Sequence, residues 1–161
     1  MKNQDIAYSI LELAVVPQSA TIKQTLNNSM GLAKEAEALN YKRFWFAEHH
    51  NADEEAEKLF TTLIRMFFGV LTGEKKPLQP PTEMNRELKE IKNHPSMHPF
   101  LKYSFVGSKQ TVKKQIMEFV AKTGVNELIA VFTMYAIEDR IKSTKLFAEV
   151  MMEINEDRKQ E

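Results

Sequence analysis

Apolar residues gather in four runs of strand length, at 6–13 (IAYSILEL), 44–47 (FWFA), 103–106 (YSFV) and 127–133 (ELIAVFT). Between the runs they recur at helical spacing instead. Ile22, Leu26, Met30 and Ala33 mark a helix over residues 21–39, with Thr21 placed to cap it. Leu59, Leu63, Phe67 and Val70 mark a second, opened by the acidic trio Asp53, Glu54 and Glu55 and ended at Gly73. A Pro-rich connector, GEKKPLQPP at 73–81, should be extended and exposed, followed by a polar helix near 82–92 and a loop at 93–99. Val112, Ile116, Phe119 and Val120 mark another helix, with Ser108 as cap and Gly124 as its left-handed end. Phe147, Val150, Met151 and Ile154 mark the last, after which residues 155–161 should fray. The run Leu128-Ile129-Ala130-Val131-Phe132 is apolar on both faces, as in a strand covered on both sides. The order strand, helix, strand opens the chain and recurs towards its end, which predicts an α/β fold with parallel strands.

Composition narrows the partners. Lys plus Arg and Asp plus Glu both count 22 in 161 residues, so no basic excess suggests nucleic acid. There is no cysteine, which excludes disulfides and a thiol nucleophile. The apolar run at 6–16 is interrupted by Glu12 and preceded only by Lys2. It is a poor signal peptide and too short to span a bilayer, so a cytoplasmic protein without membrane partners is the expectation.

The chemistry-bearing residues stand at the end of the second run. Glu48, His49 and His50 follow the aromatic stretch 44–47, where the carboxyl end of a parallel strand leaves the core. His49 is the leading candidate, since imidazole titrates near neutrality and moves protons in either direction. The same residues also suit plain strand capping. A metal is not expected there, because neighbours on a strand point to opposite faces. His94 and His98, in a Pro-flanked loop, form at best a weak pair. Gly107 and Ser108 precede a helix, a position that serves phosphate binding in many barrels and simple N-capping in many more helices.

These residues carry a family resemblance. The opening YSILEL, the segment AEHHN after KRFWF, the stretch DEEAE with QPP behind it, and YSFVGS followed by NELI resemble, in that order, the bacterial luciferase-like flavin monooxygenases. The resemblance implies a TIM barrel, reduced flavin (FMN) as cofactor, and oxidation of an aldehyde-like or other small organic substrate with O2. It places His49 in the active site, with Glu48 and His50 as neighbouring candidates. It makes Gly107 and Ser108 the candidates for cofactor contact.

The chain is short for that family. A (β/α)8 barrel takes about 250 residues, and the resemblance jumps after Asn51 from the second barrel strand to a segment well past the barrel's middle. The retained strands correspond to one, two, seven and eight, with the fourth hydrogen-bonded to the first. The expectation is a partial TIM barrel: an N-terminal βαβ unit at 1–51, a helical connector at 52–102 and a βαβα unit at 103–161. Open edges at 44–47 and 103–106, or the apolar helix at 54–72, would drive formation of a homodimer or higher oligomer. Because the missing middle holds most of the family's flavin contacts, the alternative is a catalytically silent relict, or an internally deleted variant, that folds without FMN.

Overall fold

The computed structural model describes residues 5–12, 15–42, 44–45, 53–74 and 76–160. Its sheet is three-stranded and parallel, with β1 (Ala7–Leu11) in the centre, flanked by β2 (Phe44–Trp45) and β3 (Glu127–Val131). Ala7 stands opposite Glu127 and Leu11 opposite Val131, while Leu11 also faces Trp45. The expected pairing of the fourth apolar run with the first is therefore present.

The expected strand at 103–106 is not. Ser104 N–H donates to the Leu101 carbonyl at 3.0 Å, which closes a turn there. The Val106 carbonyl, which a ladder would use, accepts from the Gln115 side chain at 3.3 Å. Tyr103 and Phe105 both pack their rings edge-on against Phe119, at 5.5 and 5.7 Å. Local partners have taken what a neighbouring strand would have supplied. The far edge of β3 has no strand against it among the described residues.

Helix α1 (Ile22–Ala38) starts on a capping box: Gln24 N–H donates to Thr21 Oγ1 at 3.3 Å while Thr21 N–H donates to the Gln24 side chain at 2.8 Å. Beyond its end, Asn40 takes φ 60°, which asparagine tolerates better than most side chains. The face α1 turns inward is one step round from the expected one. Thr25, Ser29, Leu32 and Ala36 are buried, while Ile22, Leu26 and Met30 remain exposed.

Helix α5 (Lys109–Thr123) begins at Ser108 and ends on Gly124, both as expected. Helix α6 (Ile137–Gln160) runs through the stretch expected to fray. Buried Asn155 holds it down: its Oδ1 accepts from Ile6 N–H at 2.6 Å and its Nδ2 donates to the Ile6 carbonyl at 3.0 Å. Lys159 reaches Asp5 at 2.9 Å one turn later. Ile6, Tyr8, Ile10, Leu32, Ile116 and Met151 centre the core between the sheet and helices α1, α5 and α6. Within it the Tyr41 hydroxyl donates to the Thr144 carbonyl at 2.8 Å. Burial, and then the neighbouring Tyr8, push the Tyr41 phenol far above its usual range.

A second cluster forms under helix α2 (Asp53–Thr72), where Phe60, Leu63 and Ile64 meet Leu88 of α3 (Arg86–Asn93) and Met97 of a 3₁₀ turn. A short α4 (His98–Leu101) follows, where a loop was expected. The connector is not simply exposed. Leu78 is 1% exposed and bridges to Pro17, while buried Thr62 donates to the Gln79 carbonyl at 3.0 Å. Polar side chains of α2 thus satisfy carbonyls that proline-rich chain cannot pair with itself.

Gly69 is fixed by the chain folding back after α2, for a Cβ there would stand 2.7 Å from the Glu74 carbonyl oxygen. Gly31 in α1 has nothing within 4 Å of that point. Gly31→Ala should therefore raise stability by about 0.5–1 kcal/mol, through helix propensity alone. Gly69→Ala, with the same propensity gain, should lower it. Urea midpoints of the two variants against the parent chain make the test, and equal shifts would contradict the close approach.

Candidate active site at the carboxyl ends of the strands

The three strands end at one level, and the residue after β1 is Glu12, only 3% exposed. A carboxylate buried there needs a cation. Arg140, in the second turn of α6 and 5% exposed, donates from Nη1 to Glu12 Oε1 at 2.6 Å. Its Nη2 donates to the Met134 carbonyl at 3.3 Å, just past β3, and Ser29 of α1 donates to the same Glu12 oxygen at 3.4 Å. First strand, first helix and last helix thus meet on one buried ion pair. Arg140 Nε is buried without a hydrogen-bond partner among the described residues.

Sequence reasoning missed this pair as a site. Its only trace was the acid that interrupts the apolar run at 6–16. Arg140 sits in an ordinary mixed-charge helix start, and nothing local links the two.

The candidates Glu48, His49 and His50 lie outside the described residues. What the structure gives is the strand that leads to them: β2 is parallel to β1, and Trp45 is level with Leu11, one residue before Glu12.

Gly107 and Ser108 are described, and they do structural work. Gly107 has φ 148°, which favours glycine. Ser108 caps α5, accepting from Thr111 N–H at 3.3 Å, with its hydroxyl 3.0 Å from that of Thr111. Lys109, the nearest cation in sequence, is committed to Glu149 at 2.7 Å and Glu153 at 2.8 Å. Those carboxylates hold the lysine above its usual range, and Glu153 is held below its own by Lys109 and then Lys113. Beside this turn lies a cavity of about 330 Å³, bounded by Tyr103, Phe105, Leu128, Ala130, Phe147 and Val150 among others. Apolar walls, a hydroxyl used for capping and an ammonium claimed by two carboxylates do not fit the phosphate of a flavin mononucleotide. The cavity has the size of the smallest ligand sites and suits an apolar group.

Nor do the other histidines assemble a centre. His94 accepts from Ser96 N–H at 3.3 Å as a cap, His98 opens α4, and both are exposed. Among the described residues no three His, Cys, Asp or Glu side chains gather as metal ligands, and no helix is long and apolar enough to cross a membrane.

Comparison with known proteins bears on the family. Over 64 residues the chain is 38% identical to a luciferase-like monooxygenase of Escherichia coli strain K12, covering 40% of this chain and 19% of that protein. It is 41% identical over 63 residues to the uncharacterized protein YvbT of Bacillus subtilis strain 168, covering 39% and 19%. It is also 45% identical over 51 residues to the N-acetyl-S-alkylcysteine monooxygenase of the same organism, covering 32% and 15%. Each match spans less than a fifth of the relative's length. No family model and no solved structure matches the chain. The likeness to luciferase-like monooxygenases is thus supported over a fragment, and the described residues form an α/β fold with a parallel sheet.

Proposed function

We propose that the chain is a shortened luciferase-like domain, an oxidoreductase scaffold that keeps the acid/base segment Glu48-His49-His50 and whose described residues form no flavin phosphate site. The observation that carries this reading is the register: β2 runs parallel to β1 and ends level with the buried Glu12–Arg140 pair. That is the end of a parallel sheet at which α/β proteins do chemistry. On this reading the Glu12–Arg140 pair braces the strand ends, and His49 is the group that takes up or releases a proton. The arc of strands is part of a TIM-barrel plan, with β3 in the place of the eighth strand.

The described residues beside the cavity, with Ser108 used as a cap and Lys109 held by Glu149 and Glu153, do not fit the phosphate of FMN. FMN added to the purified protein is expected to give no saturable binding at micromolar concentration, read by flavin fluorescence and visible absorbance. A yellow protein as purified, or saturable micromolar binding, would overturn that.

A second reading keeps the whole activity: a luciferase-like flavin monooxygenase oxidising an aldehyde-like or other small organic substrate with reduced flavin and O2. The apolar cavity beside β3 favours it, being large enough for a small organic molecule. Under that reading FMN binds, and His49→Ala slows flavin oxidation while leaving the unfolding midpoint unchanged.

A further inference from the structure

The cavity of about 330 Å³ runs beside β3, and consecutive residues from Leu128 to Phe132 line it. Successive side chains of a strand point to opposite faces. A hollow that touches every one of them therefore meets the strand along its edge, where the backbone lies.

Register says which backbone groups stand there. In an extended strand the N–H and C=O of one residue point to the same side, and those of the next residue to the other. Ala7 N–H donates to the Asn126 carbonyl at 3.3 Å, while the Tyr8 carbonyl accepts from Lys42 on the β2 side at 2.9 Å. With Ala7 opposite Glu127, Leu128 and Ala130 turn their backbone groups towards β1, and Ile129 and Val131 turn theirs outward. The N–H and C=O of Ile129 meet no partner among the described residues. A donor and an acceptor thus stand side by side on the cavity wall, and an amide group matches both.

The other walls narrow the guest further. Rings of Phe100, Tyr103, Phe105, Phe132 and Phe147 line the cavity, and such rings favour a flat aromatic guest in offset or edge-on contact. Phe100, Tyr103 and Ile129 leave 37%, 61% and 52% of their surface in water. Lys109, on the same wall, is answered by two carboxylates, Glu149 and Glu153, so the local charge disfavours an anion. The volume is at the lower end for small-molecule sites, with room for one ring system rather than a length of peptide.

We infer that this cavity binds a small uncharged aromatic carboxamide, with its ring among the aromatic side chains and its amide on the outward N–H and C=O of Ile129. The site lies on the edge of the sheet opposite β2. The inference concerns binding alone and rests on neither catalytic reading above.

The test is a titration of ¹⁵N-labelled protein without flavin, followed through its backbone amide resonances, with benzamide, benzoate and toluene as probes. Benzamide is expected to saturate, moving the amides of Ile129 and Val131 while that of Leu32 in α1 stays in place. Benzoate, with the same ring and a negative charge, should bind at least tenfold more weakly. Ile129→Pro deletes the outward N–H at a strand edge, where proline is tolerated. It should weaken benzamide up to roughly tenfold against Ile129→Ala, which keeps that donor, and should leave toluene unchanged. Ala130→Leu, which pushes bulk into the cavity from a half-buried position, should abolish binding of benzamide and toluene alike, with the Leu32 resonance showing the fold intact. No saturable shift with benzamide would overturn the inference. So would benzoate binding as tightly as benzamide, equal loss in the proline and alanine variants, or binding that survives Ala130→Leu.

Discussion

Arg140→Ala is expected to lower the unfolding free energy by about 3–5 kcal/mol, the cost of breaking a buried ion pair by removing one partner. Glu12 is 3% exposed, and of its described hydrogen bonds the one from Arg140, at 2.6 Å, is shorter than the one from Ser29, at 3.4 Å. The backbone would suffer as well, since the Met134 carbonyl loses its guanidinium donor. Glu12→Ala should cost a similar amount by stranding Arg140, whose Nε already lacks a partner among the described residues. Replacing both at once, Glu12→Leu with Arg140→Met, is expected to recover most of the loss, because a buried pair's desolvation offsets much of its attraction. Denaturant unfolding of the three variants decides it. A double variant no better than the singles would mean that the pair does more than neutralise itself.

The second large effect is expected at Asn155. Its amide makes both hydrogen bonds of the Ile6 peptide groups just before β1 begins, at a position 1% exposed. Asn155→Ala should cost about 2–4 kcal/mol, since it strands a donor and an acceptor that each carry about 1–3 kcal/mol of desolvation. Asn155→Asp should be no gentler: it keeps the acceptor, loses the donor and buries a charge. Hydrogen exchange sharpens the test, as protection of the Ile6 amide should vanish in the alanine variant while that of Leu32 in α1 changes only with global stability.

Local signals in the sequence were reliable where a local cause sufficed. Thr21 and Ser108 cap helices because their hydroxyls meet the free N–H groups of a first turn, and that needs only a few neighbouring residues. The two runs forming β1 and β3 were long enough to be recognised as strands. The run at 103–106 was too short to tell a strand from a turn whose rings stack on the next helix. Periodicity announced α1 but not which side of it meets the core, and there the hydroxyls of Thr25 and Ser29 lie inside. Asn155 looked like the start of a polar tail because its partners are backbone groups 149 positions away. The Glu12–Arg140 pair, separated by 128 positions, had no pattern to betray it. Of the candidate site, the sequence offered Glu48, His49 and His50, which lie outside the described residues. Gly107 and Ser108 it offered both for a ligand and as a plain turn and cap, and the turn and the cap are what the structure shows.

The ladder between β1 and β3 also decides when this protein can fold. The central strand is made well before the partner of its longer ladder, a segment far down the chain. Until residues 127–131 leave the ribosome, β1 has among the described residues only β2 to pair with, and Ile6, Tyr8 and Ile10 have no completed core to enter. The clasp of Asn155 on Ile6 comes later still. Synthesis at about 5–20 residues per second leaves that apolar strand waiting for many seconds, open to chaperones or to strands from other chains. Closing so long a loop makes refolding slow for a chain this size, with its rate set by β1 meeting β3 rather than by the helices between them.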